Sequence, residues 1–140
     1  MVDARLAELI GAEGIAFWRT LGVTVVEAEP GRAVLALAMQ PALGTLRAEV
    51  MHGGAIATLV DAAAGSAIRT TRAADEAPWR GMATTDLNVS YLDAATSDVT
   101  AEGRVLRVGR AIAFVQVDVR RADGTLVAVG RVTATIVRAS

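Results

Sequence analysis

The stretch that follows His52 constrains the fold more than any other part of the chain. Residues 53–68 read GGAIATLVDAAAGSAI, a segment rich in alanine and apolar on every face of a helix for about four turns. A helix that is hydrophobic all round must be enclosed, and this one is shorter than the roughly 20 residues that span a bilayer. The pattern therefore predicts a central helix surrounded by protein, with small side chains that let its neighbours come close.

Strand-like segments on both sides of this helix predict the enclosing sheet. Two β-prone runs, 23–28 and 33–39, are separated by a Pro-Gly turn and predict a hairpin. Four further runs follow the helix at 82–92, 99–108, 111–121 and 126–137. Apolar and polar residues alternate along the first of these, and short turns join the last three, which predicts an antiparallel meander. We therefore predict an α+β fold class, with residues 1–140 forming one domain.

The remaining segments carry weaker signals. Residues 4–18 show a helical apolar pattern that Gly11 and Gly14 interrupt, which predicts a short or broken helix. Residues 41–51 have no periodicity and are interpreted as an extended loop. The acidic start of the chain lacks the basic region of a secretory signal, and we expect a cytoplasmic protein.

Composition excludes several function classes. Fourteen arginines face fifteen acidic residues, so the net charge of -1 favours neither nucleic acid nor an anionic membrane. The chain has no cysteine, which excludes disulfides and thiolate chemistry, and a single histidine, His52, which excludes three-histidine metal sites. We expect no metal and no redox cofactor.

Asp61 is the anomaly of the central helix, because its neighbours in sequence are apolar. An unpaired carboxylate buried there would cost several kcal/mol, and perturbed carboxylates cluster at functional sites. A catalytic role is one interpretation. The other is structural: Asp61 faces a polar gap or accepts hydrogen bonds from a neighbouring strand.

The Gly53-Gly54 pair after His52 suits an oxyanion site, since glycines admit a ligand and the first turn of a helix presents free N–H groups. The pair would equally permit a tight turn into the helix. Asp61 lies eight residues after Gly53, about 12 Å along the axis. That separation is large for one carbonyl to touch both groups, which hints at a site completed by a second copy of the chain.

These residues resemble a known family. His52-Gly53-Gly54 with Asp61 at the ninth position after the histidine, in HGGAIATLVDAAAGSA, is similar to the PaaI-like acyl-CoA thioesterases of the hotdog superfamily. The later segments TTDLNVSYLDAA and GRVLRVGRAIAFVQVDVRRADGTLVAVGRVTATIV resemble the family's third strand and closing meander. The resemblance implies a hotdog fold, a homodimer or a homotetramer built as a dimer of dimers, and thioester hydrolysis at the dimer interface.

The resemblance also implies roles for individual residues. Asp61 would be the general base or nucleophile, the N–H of Gly53 or Gly54 would polarise the thioester carbonyl, and His52 would shape the turn. Thr84 would assist the water, and we expect Asn88 to share its strand face and to contact the coenzyme A thioester. Ordinary polar residues on a solvated strand face would look the same.

Two further regions bear on substrate binding. The basic turn of Arg107, Gly109 and Arg110 matches one that lies near the coenzyme A phosphates in similar proteins, although a solvated turn would look the same. The chain departs from many relatives at Leu46 and Glu49, where they carry an asparagine and a glycine. This change affects the loop that would orient the carbonyl or the water.

The sequence thus predicts hydrolysis of acyl- or aryl-CoA thioesters to free acid and CoA. A hotdog hydratase would pair its aspartate with a later histidine, whereas His52 precedes Asp61. The main alternative is a non-catalytic acyl-CoA-binding or oligomerisation module, in which the changed loop has abolished hydrolysis.

Overall fold

Six antiparallel strands form one sheet that wraps around a long helix. The computed structural model describes residues 2–139. The helices are α1 (Ala4–Ile10), α2 (Ala16–Leu21) and α3 (Gly53–Arg69), and 3-10 turns occupy Ala12–Gly14 and Pro41–Leu43. The strands are β1 (Thr24–Glu29), β2 (Arg32–Leu37), β3 (Gly81–Tyr91), β4 (Val99–Val108), β5 (Ile112–Arg121) and β6 (Leu126–Val137).

The strand order is β1-β2-β4-β5-β6-β3, and every neighbouring pair is antiparallel. The β1–β2 hairpin and the β4–β5–β6 meander are confirmed. Helix α3 packs against the concave face of the sheet, where it contacts β2, β3, β4, β5 and β6. This is the predicted α+β hotdog architecture of a central helix in an antiparallel wrap.

The core lies between α3 and the sheet. The backbones of α3 and of two strands come close together there because the strands carry glycine at the crossing points. A Cβ atom on Gly103 of β4 would lie 2.6 Å from the carbonyl oxygen of Ala63, and one on Gly130 of β6 would lie 2.5 Å from Val60 Cγ1. Both distances are below van der Waals contact, so each strand needs glycine where α3 crosses it. The buried part of α3 comprises Ile56, Leu59, Val60, Ala62, Ala63, Ala64, Ser66, Ala67 and Ile68.

One stripe of α3 is less well covered than the rest. Gly54 is exposed, and Thr58, Asp61 and Gly65 are only half-buried. Their spacing of three and four residues places them on one side of the helix. A single chain therefore leaves part of this apolar helix open, whereas the sequence pattern predicts full enclosure.

The segments before α3 differ in part from expectation. The broken N-terminal helix is confirmed, since α1 ends at Ile10, Gly11 caps it with a left-handed φ of 67°, and α2 begins only at Ala16. The extended loop predicted for 41–51 is wrong. Leu43 ends a 3-10 turn, and an antiparallel bridge between Gly44 and Met51 closes the loop into a compact turn.

Strand β3 forms one edge of the sheet and contains a β-bulge. Thr84 pairs with Ala134 and Asp86 with Thr133, which leaves Thr85 as an extra residue. The bulge changes which side chains face α3. The prediction that Thr84 and Asn88 share one strand face is therefore wrong: Thr84 faces the helix, and Asn88 lies on the opposite face.

Among residues 2–139, no helix is long and apolar enough to cross a membrane.

A partly buried ion pair joins β2 to β4 on the outer face of the sheet. Arg32 Nε of β2 donates to Glu102 Oε2 of β4 at 2.6 Å, and Arg104 Nε donates to Glu102 Oε1 at 2.9 Å. Burial raises the pKa of the Glu102 carboxyl, but the hydrogen bonds from Arg32 and Arg104 outweigh this and hold the pKa below its ordinary value. The charged form of Glu102 is thus favoured by folding.

Substituting Glu102→Gln should lower the free energy of unfolding at pH 7 by about 1 kcal/mol, the scale of a charge-assisted hydrogen bond that is partly exposed. The folded-state pKa is depressed, so this stabilisation is present above the ordinary glutamate pKa and is lost as pH falls through the folded value. Urea unfolding of both proteins from pH 7 to pH 3 should show the difference shrinking with acid. A difference that is constant with pH would contradict the ion-pair explanation.

Candidate active site

Asp61 and Thr84 form the chemical centre of the candidate site. Thr84 Oγ1 of β3 donates a hydrogen bond to Asp61 Oδ1 of α3 at 2.6 Å. Asp61 is half-buried and Thr84 is exposed. A hydrogen bond from a neighbouring strand fits both the catalytic and the structural interpretation of Asp61. Because the carboxylate is not sealed in the core, water and a substrate can reach it.

The turn that begins α3 is organised by His52. Its side-chain Nδ1 accepts a hydrogen bond from the N–H of Gly54 at 2.8 Å, so the imidazole caps the helix. Nδ1 carries no proton in this arrangement, which leaves the proton on Nε2. The sequence leaves open whether Gly53 or Gly54 offers a free N–H. In the structure the Gly54 N–H is already engaged, whereas that of Gly53 has no acceptor within residues 2–139.

Tyr91 is a site residue that the sequence interpretation missed. Its hydroxyl donates to the carbonyl oxygen of Gly53 at 2.6 Å. Its ring lies against Gly53 so closely that a Cβ there would come within 3.2 Å of the ring atom Cζ. The alternation of β3 already groups Tyr91 with Leu87 and Val89 on one face, but nothing in that pattern shows which face meets Gly53.

One chain does not bring Asp61 and the Gly53 N–H together around one reacting atom. Both belong to the unbroken helix α3, eight residues and hence about 12 Å apart. Two concavities in the described part of the chain, of about 580 and 630 Å³, are lined by other residues. One lies beside the β5–β6 turn, and the other lies between the N-terminal helices and β1. With Thr84 exposed on the edge strand β3 and Asp61 half-buried beside it, the candidate site lies at an open edge of the single chain.

The loop that departs from the resembled family is held by its own contacts. Thr45 N–H donates to the carbonyl of Val50 at 2.9 Å, and Val50 N–H donates to that of Arg47 at 3.0 Å. Leu46 at its tip is fully exposed, and Glu49 is also exposed. Residues 41–51 contain no asparagine or glutamine, so this loop offers no side-chain amide to orient a carbonyl or a water.

The basic turn lies between β4 and β5, and hydrogen bonds from one arginine of the C-terminal segment hold its backbone. Arg138 donates to the carbonyls of Gly109 at 3.1 Å and Arg110 at 2.8 Å, and it also pairs with Glu76. The side chains of Arg107 and Arg110 are exposed and have no acceptor within residues 2–139. They are available to an anionic ligand.

This turn and Asn88 are placed differently relative to Asp61. Ala113, beside the turn, pairs with Ala134, which in turn pairs with Thr84. The turn thus lies two strands from Thr84, about 10 Å across the sheet. Asn88 pairs with Arg131 on the outer face and is not brought to Asp61.

No three histidine, cysteine, aspartate or glutamate side chains of residues 2–139 lie close enough together to hold a metal ion. What the site offers is a carboxylate held by a hydroxyl, and a backbone donor at a helix start. This combination suits hydrolysis at a carbonyl, with the carboxylate acting on water and the N–H stabilising negative charge on oxygen.

Known proteins share both sequence and fold with this chain. The pattern of the Thioesterase superfamily matches residues 48–128, which include every residue of the candidate site. A candidate esterase of Halobacterium salinarum is 38% identical over 120 residues, which cover 79% of this chain and 78% of that protein. The medium/long-chain acyl-CoA thioesterase YigI of Salmonella typhimurium is 32% identical over 123 residues, 80% of this chain and 79% of its own.

A solved structure supports the architecture at lower sequence identity. The PaaI protein of the E. coli phenylacetic acid degradation operon superposes with a TM-score of 0.78 over 96% of each chain, at 17% identity. At that identity the match bears on the fold alone. It confirms the arrangement of sheet and central helix that the resemblance implies.

Proposed function

The chain belongs to the thioesterase superfamily and is a hydrolase of the PaaI-like hotdog type, and on that premise we propose that it hydrolyses acyl- or aryl-CoA thioesters. The observation that carries the proposal is the Thr84–Asp61 hydrogen bond at an accessible edge of the sheet. The products are a free acid and CoA. The reaction needs no cofactor, because water is the only co-reactant.

In the proposed reaction, Asp61 acts at the scissile carbonyl. Thr84 occupies Oδ1 and orients the carboxylate, so Oδ2 is free to take a proton from water or to attack the carbonyl carbon directly. The Gly53 N–H donates to the oxygen that becomes negative. The C–S bond then breaks, and CoA leaves as the thiolate, which takes up the proton that Asp61 removed from water. If Asp61 attacks directly, the acyl group is left on its carboxylate as a mixed anhydride, and water then cleaves this anhydride to release the free acid and restore Asp61.

We infer that a second copy of the chain completes this site. The exposed edge strand β3 carries large side chains at Leu87 and Tyr91, with Leu92 directly after it, and beside the strand lies the incompletely covered stripe of α3. An unpaired edge strand is a template for pairing with another strand. A homodimer joined along β3 would cover both surfaces and would bring the Gly53 turn of one copy toward Asp61 of the other. Two such dimers would form the homotetramer.

The basic turn is proposed to contact the phosphates of CoA. Substituting both Arg107→Ala and Arg110→Ala should raise KM for an acyl-CoA about three- to tenfold and leave kcat unchanged, since exposed charges contribute modestly to affinity. Initial rates at low and moderate salt would measure this. The same acyl group on pantetheine, which lacks the phosphates, should show no change. An equal KM increase for both substrates would exclude phosphate contact.

The proposal as a whole is tested by CoA release. A panel of short, medium and long acyl-CoA and aryl-CoA thioesters would be incubated with the protein, and free thiol would be followed by a chromogenic disulfide. Release that saturates with substrate would support the thioesterase and would rank its acyl groups. Tight stoichiometric binding without release would instead support a non-catalytic acyl-CoA-binding module, with Leu46 and Glu49 as the altered positions.

A further inference from the structure

Strand β3 contacts both ends of the candidate site, although Thr84 and Tyr91 are seven residues apart in the sequence. In a regular strand an odd separation places two side chains on opposite faces. The bulge at Thr85 adds one residue to β3, so Thr84 pairs with Ala134 and Tyr91 pairs with Ala128. These partners are six residues apart on β6, and both face α3.

We propose that Tyr91 is a positioning residue of the thioesterase reaction, acting through Gly53, and that the bulge at Thr85 allows one strand to hold both the Gly53 turn and the Asp61 carboxylate, each of which serves a different one of the two sites that a dimer would form. The inference rests on the proposed function. Tyr91 fixes the helix start through its hydroxyl, and Thr84 fixes the carboxylate two turns further along. Because both contacts come from the same strand, their relative positions follow from the register of β3.

Side chains hold both ends of one peptide unit at the start of α3. The carbonyl of Gly53 accepts from the Tyr91 hydroxyl at 2.6 Å, and the Gly54 N–H of the same unit donates to His52 Nδ1 at 2.8 Å. The preceding peptide carries the Gly53 N–H and shares the Gly53 Cα with this unit. Fixing one plane therefore limits the direction in which the Gly53 N–H points.

Direction matters because an oxyanion donor must lie about 2.7–3.1 Å from the charged oxygen. A misplacement of about 1 Å can cost on the order of a hundredfold in rate. The ring of Tyr91 adds a steric limit, since a Cβ at Gly53 would lie only 3.2 Å from Cζ and the ring would have to move by a few tenths of an ångström to accommodate it. The ring thus sets the distance between β3 and the start of α3, and the hydroxyl sets the orientation of the peptide unit between Gly53 and Gly54.

Tyr91→Phe separates the two contributions, because phenylalanine keeps the ring and loses only the hydroxyl. We expect kcat to fall about five- to tenfold, the scale of one lost hydrogen bond, with KM for the acyl-CoA changing less than about twofold. The affinity for an S-alkyl-CoA thioether, which has no carbonyl, should also be unchanged. A purely structural role would lower the amount of folded protein without changing kcat per folded molecule. Ser90→Ala, on the outer face of β3, is the matched control.

Deletion of Thr85 tests the bulge. The deletion leaves Thr84 and Tyr91 six residues apart in a regular strand, so both can still face α3 with their present partners on β6, and kcat should stay nearer to the parent's than in Tyr91→Phe. A larger loss than in Tyr91→Phe would contradict the role of the bulge as a correction of the spacing. Amide resonances of Gly53 and Gly54 should shift in Tyr91→Phe and stay close to the parent's in the deletion, which reports on the turn whether or not turnover is measured. If the parent releases CoA while Tyr91→Phe retains full kcat and unshifted amides, the positioning role is wrong. If the parent releases no CoA from any thioester, the proposed function fails first.

Discussion

Asp61→Asn should lower kcat for the best CoA thioester by at least about a hundredfold, the scale of a lost general acid–base group. Asparagine has nearly the same shape and can still accept the Thr84 hydroxyl through its amide oxygen, so the hydrogen bond of 2.6 Å can be kept. What it cannot do is take a proton from water or attack as a carboxylate. The rate loss therefore reports on chemistry rather than on packing.

The control for this variant is Asp118→Asn, which makes the same change on the outer face of β5, away from α3. It should retain the parent's kcat. Thermal unfolding of both variants should stay within a few degrees of the parent, because Asp61 is only half-buried. Turnover by a well-folded Asp61→Asn protein at the parent's rate would exclude Asp61 as base and as nucleophile, and would favour its structural interpretation.

The central helix and the meander could be predicted because their signals are local. An all-apolar alanine-rich run, turn residues at fixed positions and alternating side chains each depend on neighbours in sequence. Helix α3 begins at Gly53 as expected, and β4 and β6 have the predicted bounds. The glycines at 103 and 130, where the helix backbone meets the sheet, are consistent with the close approach that the small helix residues predict.

The bulge could not be predicted, and one site residue was misplaced because of it. An extra residue at Thr85 depends on how β3 pairs with β6, and pairing is not a local property. Assuming a regular strand puts Asn88 with Thr84 and puts Tyr91 on the other face. The true register reverses both placements. The compact loop after Leu43 was missed for a similar reason, since its bridge joins residues without any periodic pattern.

The engagement of Gly54 was also hidden from the sequence. Histidine is not among the preferred N-cap residues, which are serine, threonine, aspartate and asparagine. The cap at His52 becomes visible only in three dimensions, and it leaves Gly53 as the donor that faces outward. A pattern of two glycines alone predicts an open helix start but does not distinguish between them.

The second large effect on turnover should come from a charge placed on the free edge of β3. Leu87 lies on the face of β3 that meets α3, is 41% exposed in the single chain, and belongs to the surface that a second copy would cover. Leu87→Glu places a charge there, which is a device that natural edge strands use to prevent pairing. We expect a monomer of 14.5 kDa and a kcat at least about a hundredfold lower, because proximity of the two halves of the site would be lost.

Light scattering and the CoA-release assay would be run on the same samples. Phe17→Glu is the matched control, since Phe17 on α2 is 57% exposed, more than Leu87, and lies outside the β3 surface. It should keep both the parent's mass and its kcat. A Leu87→Glu monomer with full turnover would show that one chain holds a complete site. That result would require α3 to offer Asp61 and Gly53 to the same substrate across two helical turns, which its straight geometry does not favour.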